Sequence, residues 1–274
     1  MNPLEHLPLG QPTRYIDRYD SHLLCPVPRQ LKRAELGIGT SLPFVGEDLW
    51  NGYELSWLNP KGKPVVALLQ LRVPCHSPNL IESKSLKLYL NSYNQTAFAT
   101  TDAVADQLRH DLSAVAGTAV TLNLSPPDDV ATWQVGQLTG QCLDDLDIAI
   151  DRYQVDSGLL SCSPAAPEVE EQLYSHLLKS NCLITSQPDW ASLWLQYRGP
   201  AIDHAGLLRY LISFRQHNEF HEQCVERIFT DVLRCCRPTQ LSVYARYTRR
   251  GGLDINPWRS TDMAVAPNWR LARQ

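Results

Sequence analysis

The sequence predicts an α+β protein made of two similar modules in tandem. Three observations lead there. Alternating apolar runs that read as strands flank a helical stretch in each half of the chain, in the same order, and an internal repeat of that size decides architecture. A small, polar, proline-bearing segment, DSGLLSCSPAAPEVEEQ, separates the halves as a linker would. The one GxG, at Gly37 and Gly39 in ELGIGTSLP, neither follows a strand nor opens a helix, so a doubly wound nucleotide fold is not expected. The boundary falls near residue 160, giving modules over 1–160 and 161–274 with antiparallel sheets and helices on one side.

In the first half, the apolar run from Val65 to Val73 in PVVALLQLRVP is closed by prolines and predicts a buried strand. In KSLKLYLNSYN, Leu86, Leu88 and Leu90 alternate with Lys87, Tyr89 and Asn91, which predicts a second strand with one buried face. TDAVADQLRHDLSAVAG opens with the cap candidates Thr101 and Asp102, carries apolar residues at helical spacing and stops at Gly117. TAVTLNLSPP and ATWQVGQL then predict two more strands. The second half repeats the order. SNCLITSQPDW and ASLWLQYRGP read as strands around the turn signal QPD. GLLRYLISFRQHNEFHEQCVERIFTDVLRCC is a long helical stretch, one helix or two, and PTQLSVYARYTRRGG closes with an alternating strand.

Bulk properties exclude several functions. The 274 residues carry 25 Lys and Arg against 29 Asp and Glu, for a net charge of -4, so no basic nucleic-acid surface is expected. Nowhere do about eighteen apolar residues run together, so a membrane span is not expected either. The opening MNPLEHLPLG lacks the charged start and apolar stretch of an export signal, and the expected location is cytoplasmic. The eight cysteines, at 25, 75, 142, 162, 182, 224, 235 and 236, are scattered without a CxxC pair and read as reduced thiols.

Three stretches carry groups capable of chemistry. IESKSLKLYLNSYNQ, residues 81–95, crowds an acid, hydroxyls and lysines at a strand entrance: a solvated edge strand, or a binding loop built on Glu82, Ser83 and Lys84. FRQHNEFHEQCVERIF places His217, His221 and Cys224 three or four apart, hence on one helical face, where they could ligate zinc. A metal-free alternative uses Glu222 to accept N–H bonds from a purine-like edge while His221 moves protons. Because adjacent helical residues point about 100° apart, both serve one pocket only at a helix end or break. In NCLITSQPDW, Cys182, Ile184 and Ser186 share a strand face, and Cys182 meets Asp189 only if the chain turns at Gln187 and Pro188. Cys182 is then either a small buried thiol or a nucleophile activated by a neighbouring base.

ESKSLKLYLNSYNQ closely resembles the signature of the NADPH-dependent nitrile reductases of queuosine biosynthesis. SNCLITSQPDWASLWLQYRGP, FRQHNEFHEQCVERI and RYTRRGGLDINPWRS resemble that family's other hallmark segments, and the likeness covers nearly the whole chain. It implies two tunnelling-fold (ββααββ) modules in one chain, a homodimer, and a pocket between the signature segment of the first module and the catalytic segment of the second. It also implies four-electron reduction of the nitrile of 7-cyano-7-deazaguanine to the primary amine, consuming two NADPH without a metal. Position by position, Cys182 matches the nucleophile and Asp189 the proton donor, with His221 a second proton carrier. Ile81, Glu82, Ser83, Phe220, His221 and Glu222 match substrate contacts; Ser83, Lys84, Arg250 and Gly251 match NADPH contacts. Related tunnelling-fold enzymes include zinc-dependent GTP cyclohydrolases, so a zinc hydrolase is one alternative. A non-catalytic purine-binding protein on the same fold is another.

Overall fold

The computed structural model describes residues 15–162, 167–262, 267–268 and 270–274. In chain order it contains β1 (Pro26–Pro28), α1 (Gln30–Glu35), β2 (Val45–Leu58), β3 (Pro64–Pro74), β4 (Asn79–Ile81), α2 (Ser83–Asn91), α3 (Thr101–Ala116) and β5 (Thr121–Ser125). Then follow β6 (Gln141–Cys142), β7 (Glu168–Asn181), β8 (Pro188–Pro200), α4 (His204–Ser213), α5 (His221–Cys236), β9 (Gln240–Tyr247) and β10 (Leu253–Ser260). The α+β class is thus observed. Two units interleave along the sequence. One comprises the described residues up to Lys32 with Asp48–Gln134 and Arg249–Asp254; the other comprises Arg33–Glu47, Val135–Thr248 and Ile255–Gln274. The expected boundary near residue 160 follows chain order, whereas residues 135–160 group with the second unit.

In the first unit the strand order is β5-β3-β2, with β3 and β5 antiparallel and Leu69 opposite Leu124. The inward residues of β3, Ala67, Leu69, Leu71 and Val73, alternate as a half-buried strand requires. They form a core with Leu86, Tyr89, Leu108 and Leu112, each such side chain stabilising the fold by about 1.5–3 kcal/mol through burial. α3 matches expectation, with Thr100 rather than Thr101 as its cap and Gly117 in the left-handed conformation at its end (φ 73°).

The expected strand over KSLKLYLNSYN is instead α2. The alternating leucines mislead, because the buried set is Ser85, Leu86, Tyr89 and Leu90, which recurs with helical spacing. Ser85 tolerates burial because its Oγ donates to Glu82 O at 2.7 Å. The helix start is fixed by Glu82, whose Oε1 accepts from Lys84 N at 2.8 Å and whose Oε2 accepts from Ser85 N at 2.7 Å. ATWQVGQL does not form the expected strand either; Val135 makes only an isolated bridge to Arg270.

The second unit orders its strands β10-β9-β8-β7-β6. β7 and β8 form a long antiparallel hairpin, and β8 pairs with β9 from Ala191↔Tyr247 to Arg198↔Gln240. The long helical stretch resolves into α4, a 3-10 turn at Phe214–Gln216, and α5. Val225, Ile228, Phe229 and Val232 form the apolar stripe of α5, and all are fully buried. Three carboxylates, Glu222, Glu226 and Asp231, are buried on the same helix. Glu226 accepts from Arg33 Nε at 2.8 Å and Nη2 at 2.6 Å, and from Arg259 Nη2 at 2.8 Å. Both guanidinium groups also lie over the Phe44 ring, at 5.6 and 5.5 Å from its centroid.

Sequence patterning missed β2 and β10 because charged and strand-breaking residues interrupt them. Asp48 and Gly46 stand in β2, and Asp254, Pro257 and Arg259 in β10, yet every residue of β10 is buried. Gly46 has a structural cause: at φ 145°, a Cβ there would lie 2.1 Å from Trp258 O. Among the described residues no helix is long and apolar enough to cross a membrane.

Candidate active site

The Cys182 stretch is a hairpin loop, not the expected strand. β7 ends at Asn181, which pairs with Pro188, and Ser180 pairs with Asp189. Residues 182–187 therefore make the turn, and Cys182, Ile184 and Ser186 share no strand face. Local hydrogen bonds explain the break: Cys182 N donates to Gln187 O at 2.8 Å, and Ser186 N donates to Cys182 O at 3.0 Å. Ser186 completes the turn with φ 55°. The reversal places Cys182 at the loop entrance and Asp189 on the returning strand, 8% and 3% exposed respectively.

Asp189 meets His221, the first residue of α5, with Oδ2 3.3 Å from His221 Nε2. The imidazole stacks on Tyr247 of β9, their rings 3.8 Å apart and 10° from parallel. Its buried Nδ1 has no hydrogen-bond partner among the described residues. Burial, with the charges of Cys224 and Asp189, holds the Tyr247 hydroxyl far above its ordinary pKa, so this platform stays neutral. Tyr247 was not singled out from the sequence, which showed only that it lies in an alternating strand.

Phe220 occupies the N-cap position of α5, and Glu222 lies in its first turn, 4% exposed. His221 and Glu222 thus stand at a helix end, the arrangement that lets neighbouring residues serve one site. The same boundary removes the basis of the zinc set. His217 precedes the helix, so it shares no helical face with His221 and Cys224; its Nε2 lies 2.9 Å from Glu219 Oε2. Burial alone would raise the Glu219 carboxyl, but bonds from His217 and Arg227 prevail and hold it below the usual range. Cys224 is driven well above the ordinary thiol range by burial and by Glu219. Such a neutral buried thiol is a poor metal ligand. Among the described residues no group of three or more His, Cys, Asp or Glu is placed to hold a metal.

The first unit gathers the remaining candidates. Ile81 ends β4, Glu82 caps α2, and Ser83 and Lys84 form its first turn. The Glu82 carboxyl is 1% exposed and raised by that burial, against the pull of the Lys84 and Ser85 N–H groups and of Lys87 and Lys84. Arg250 and Leu253 exchange backbone bonds across Gly251 and Gly252, whose φ values of 57° and 76° suit a two-residue turn that side chains resist. Lys84, Lys87, Asn91, Gly251 and Gly252 border a cavity of about 320 Å³. Gly251 lies against the Lys87 stem, where a Cβ would come within 3.2 Å of Cδ. Lysines beside open backbone provide charge and access for a phosphate-bearing ligand.

Comparison with known proteins identifies the family. The family described as "Nitrile reductase, 7-cyano-7-deazaguanine-reductase N-term" matches residues 15–124, and that described as "QueF-like protein" matches residues 188–265. Three relatives named NADPH-dependent 7-cyano-7-deazaguanine reductase match nearly end to end. That of Dechloromonas aromatica is 59% identical over 275 residues, covering 100% of this chain and 97% of its own. That of Chromobacterium violaceum is 58% identical over 272 residues, covering 98% and 97%. That of Burkholderia thailandensis is 55% identical over 275 residues, covering 100% of both. A solved apo archaeosine synthase QueF-Like is 15% identical, covering 37% of this chain and 99% of its own with a TM-score of 0.30, a likeness too slight to carry an argument. On its identity to these full-length relatives, the chain belongs to the family of NADPH-dependent 7-cyano-7-deazaguanine reductases.

Proposed function

We infer that this protein is an NADPH-dependent oxidoreductase that reduces the nitrile of 7-cyano-7-deazaguanine to an aminomethyl group, the reaction its relatives are named for. The single observation that carries the chemistry is the hairpin reversal that returns Asp189 beside His221 while Cys182 opens the same loop. A nitrile accepts hydride poorly. Addition of the Cys182 thiol across C≡N forms an S–C bond, breaks one C–N π bond and moves the thiol proton to nitrogen, giving a thioimide with a more polarised C=N. NADPH, when bound, supplies the hydrides of the four-electron reduction.

The chain's own groups do the rest. Asp189 relays the thiol proton to nitrogen during thioimide formation and returns a proton to the departing thiolate later, with His221 as its partner in proton transfer. Glu222 accepts from the N–H donors of the guanine-like edge, and Phe220, Ile81, Glu82 and Ser83 complete the substrate contacts. Lys84, Ser83, Arg250 and Gly251 hold the cofactor. The cavity beside Lys84 and Gly251 supports that assignment, since cations and exposed backbone suit phosphate groups. These roles belong to a cytoplasmic homodimer of chains with two tunnelling-fold modules, over 1–160 and 161–274, acting in queuosine biosynthesis.

The test is stoichiometric. Mixing protein, limiting cyano base and excess NADPH is expected to oxidise two NADPH per base, read at the nicotinamide absorbance, with the amine as product. Binding without oxidation would instead point to a purine-binding protein, and activity lost only on stripping zinc would point to a metal hydrolase.

Two substitutions separate chemistry from binding. Asp189→Asn preserves shape but removes a titrating group, and is expected to lower kcat by about 10²–10⁴-fold with KM little changed. Glu222→Ala is expected to raise KM by roughly 10- to 100-fold, because N–H donors of the bound base lose a charged acceptor. Steady-state kinetics of the two variants check both, and the reverse pattern would exchange the assigned roles.

A further inference from the structure

One side chain ties together both ends of the loop that carries Cys182. Asn218 Oδ1 accepts from Asn181 Nδ2 at 3.1 Å, and Asn218 Nδ2 donates to Ser186 Oγ at 2.9 Å. Backbone bonds reinforce the first tie: Asn181 N donates to His217 O at 2.8 Å, and Glu219 N donates to Asn181 O at 3.0 Å. Lys179 Nζ donates to Asn181 Oδ1 at 2.6 Å and to Arg215 O at 2.7 Å. That contact fixes which way the Asn181 amide faces and leaves its NH₂ for Asn218. At the far end Ser186 holds φ 55°, a left-handed conformation that strains a non-glycine residue and persists only where surrounding bonds over-determine it. The Asn218 amide supplies such a bond.

We propose that Asn218 is a positioning residue for Cys182, locking the 182–187 loop onto the segment that leads into His221 and Glu222 so that the sulfur meets the nitrile carbon of a base held by those groups. The inference rests on the reading of Cys182 as nucleophile. Asparagine suits the task because its side chain both accepts and donates. Aspartate keeps only the acceptor, and alanine keeps neither.

The experiment omits NADPH and follows the protein–thioimide adduct by absorbance and intact mass after mixing with 7-cyano-7-deazaguanine. The wild-type chain is expected to form the adduct. Asn218→Ala is expected to slow its formation by roughly 10- to 100-fold, the scale on which a displacement of about 1 Å acts at a reacting centre. In a Cys182→Ala background, the same substitution is expected to change affinity for the cyano base by less than about twofold, as for an independent site. Ser186→Ala removes one arm at an exposed position and is expected to give a smaller loss in adduct rate, up to about tenfold. That variant keeps the test readable if Asn218→Ala fails to fold.

Absence of the adduct in the wild-type chain would overturn the nucleophile reading and this proposal with it. Adduct formation at the wild-type rate in both variants would overturn the proposal alone. So would a loss of affinity in the Cys182→Ala background equal to the loss of adduct rate, since that is the mark of a merely structural role.

Discussion

Cys182→Ala is expected to lower turnover by at least roughly 10³-fold, the scale on which loss of a covalent nucleophile acts, while the cyano base still binds. The two readouts must part company. Steady-state NADPH oxidation should fall to the detection limit, and calorimetric titration with the base should still saturate. Sulfur removal changes little else, because the loop is closed by the Cys182 N and O backbone bonds to Gln187 and Ser186, which alanine retains. Alanine also fits a position that is already 8% exposed and makes no demand on φ. A variant that turns over at the wild-type rate would eliminate the thioimide route, whatever its affinity.

The largest effect on stability is expected at Glu226. Its carboxylate pairs with two guanidinium groups, Arg33 and Arg259, in a site where all three side chains are almost fully buried. Glu226→Ala removes the carboxylate that two buried cations share. Breaking such a buried pair from one side destabilises by about 3–5 kcal/mol, because the remaining charge stays desolvated. At about 2–4 °C per kcal/mol for a chain of this class, the melting temperature should fall by roughly 6–20 °C. Glu226→Gln keeps an oxygen acceptor but not the charge, and should fall between wild type and alanine. Thermal or urea unfolding of the variants checks the series, and a loss below about 1 kcal/mol for alanine would mean that the arginines are solvated.

What was legible in the sequence followed from periodicity where one face is apolar and the other polar. β3, α3 and β9 have such faces, and each is found where the pattern put it. α2 does not, because its buried set includes Ser85 and its leucines happen to fall two apart; only the Glu82 cap distinguishes helix from strand there, and a capping glutamate is an uncommon signal. β2 and β10 were hidden for the opposite reason. Their charged residues point inward to partners far away in sequence, as Asn51 Nδ2 donates to Asp254 Oδ1 at 2.8 Å across 203 residues.

The candidate site was legible residue by residue through the family resemblance, but its geometry was not. A pattern of alternate residues could not show that Cys182 ends a strand, since that break depends on Asn181 pairing with Pro188 and on Ser186 turning left-handed. Nor could spacing place His217 outside the helix, because a residue four positions before a helix start has the same spacing as one four positions further along inside it. The stacking of His221 on Tyr247 depends on β9 lying beside β8, and such a contact is tertiary throughout.

The Glu226 triad also constrains the order in which the protein can be made. Arg33 and Glu226 lie 193 positions apart, and Arg259 is 33 positions beyond Glu226. A ribosome that has delivered α5 has therefore produced Glu226 before the second of its two cations has been made. Until β10 emerges, Glu226 has Arg33 but lacks Arg259, so its contact set is incomplete. The three-way contact is completed only after β10 is made, and its long sequence separation makes that closure slow compared with helix formation.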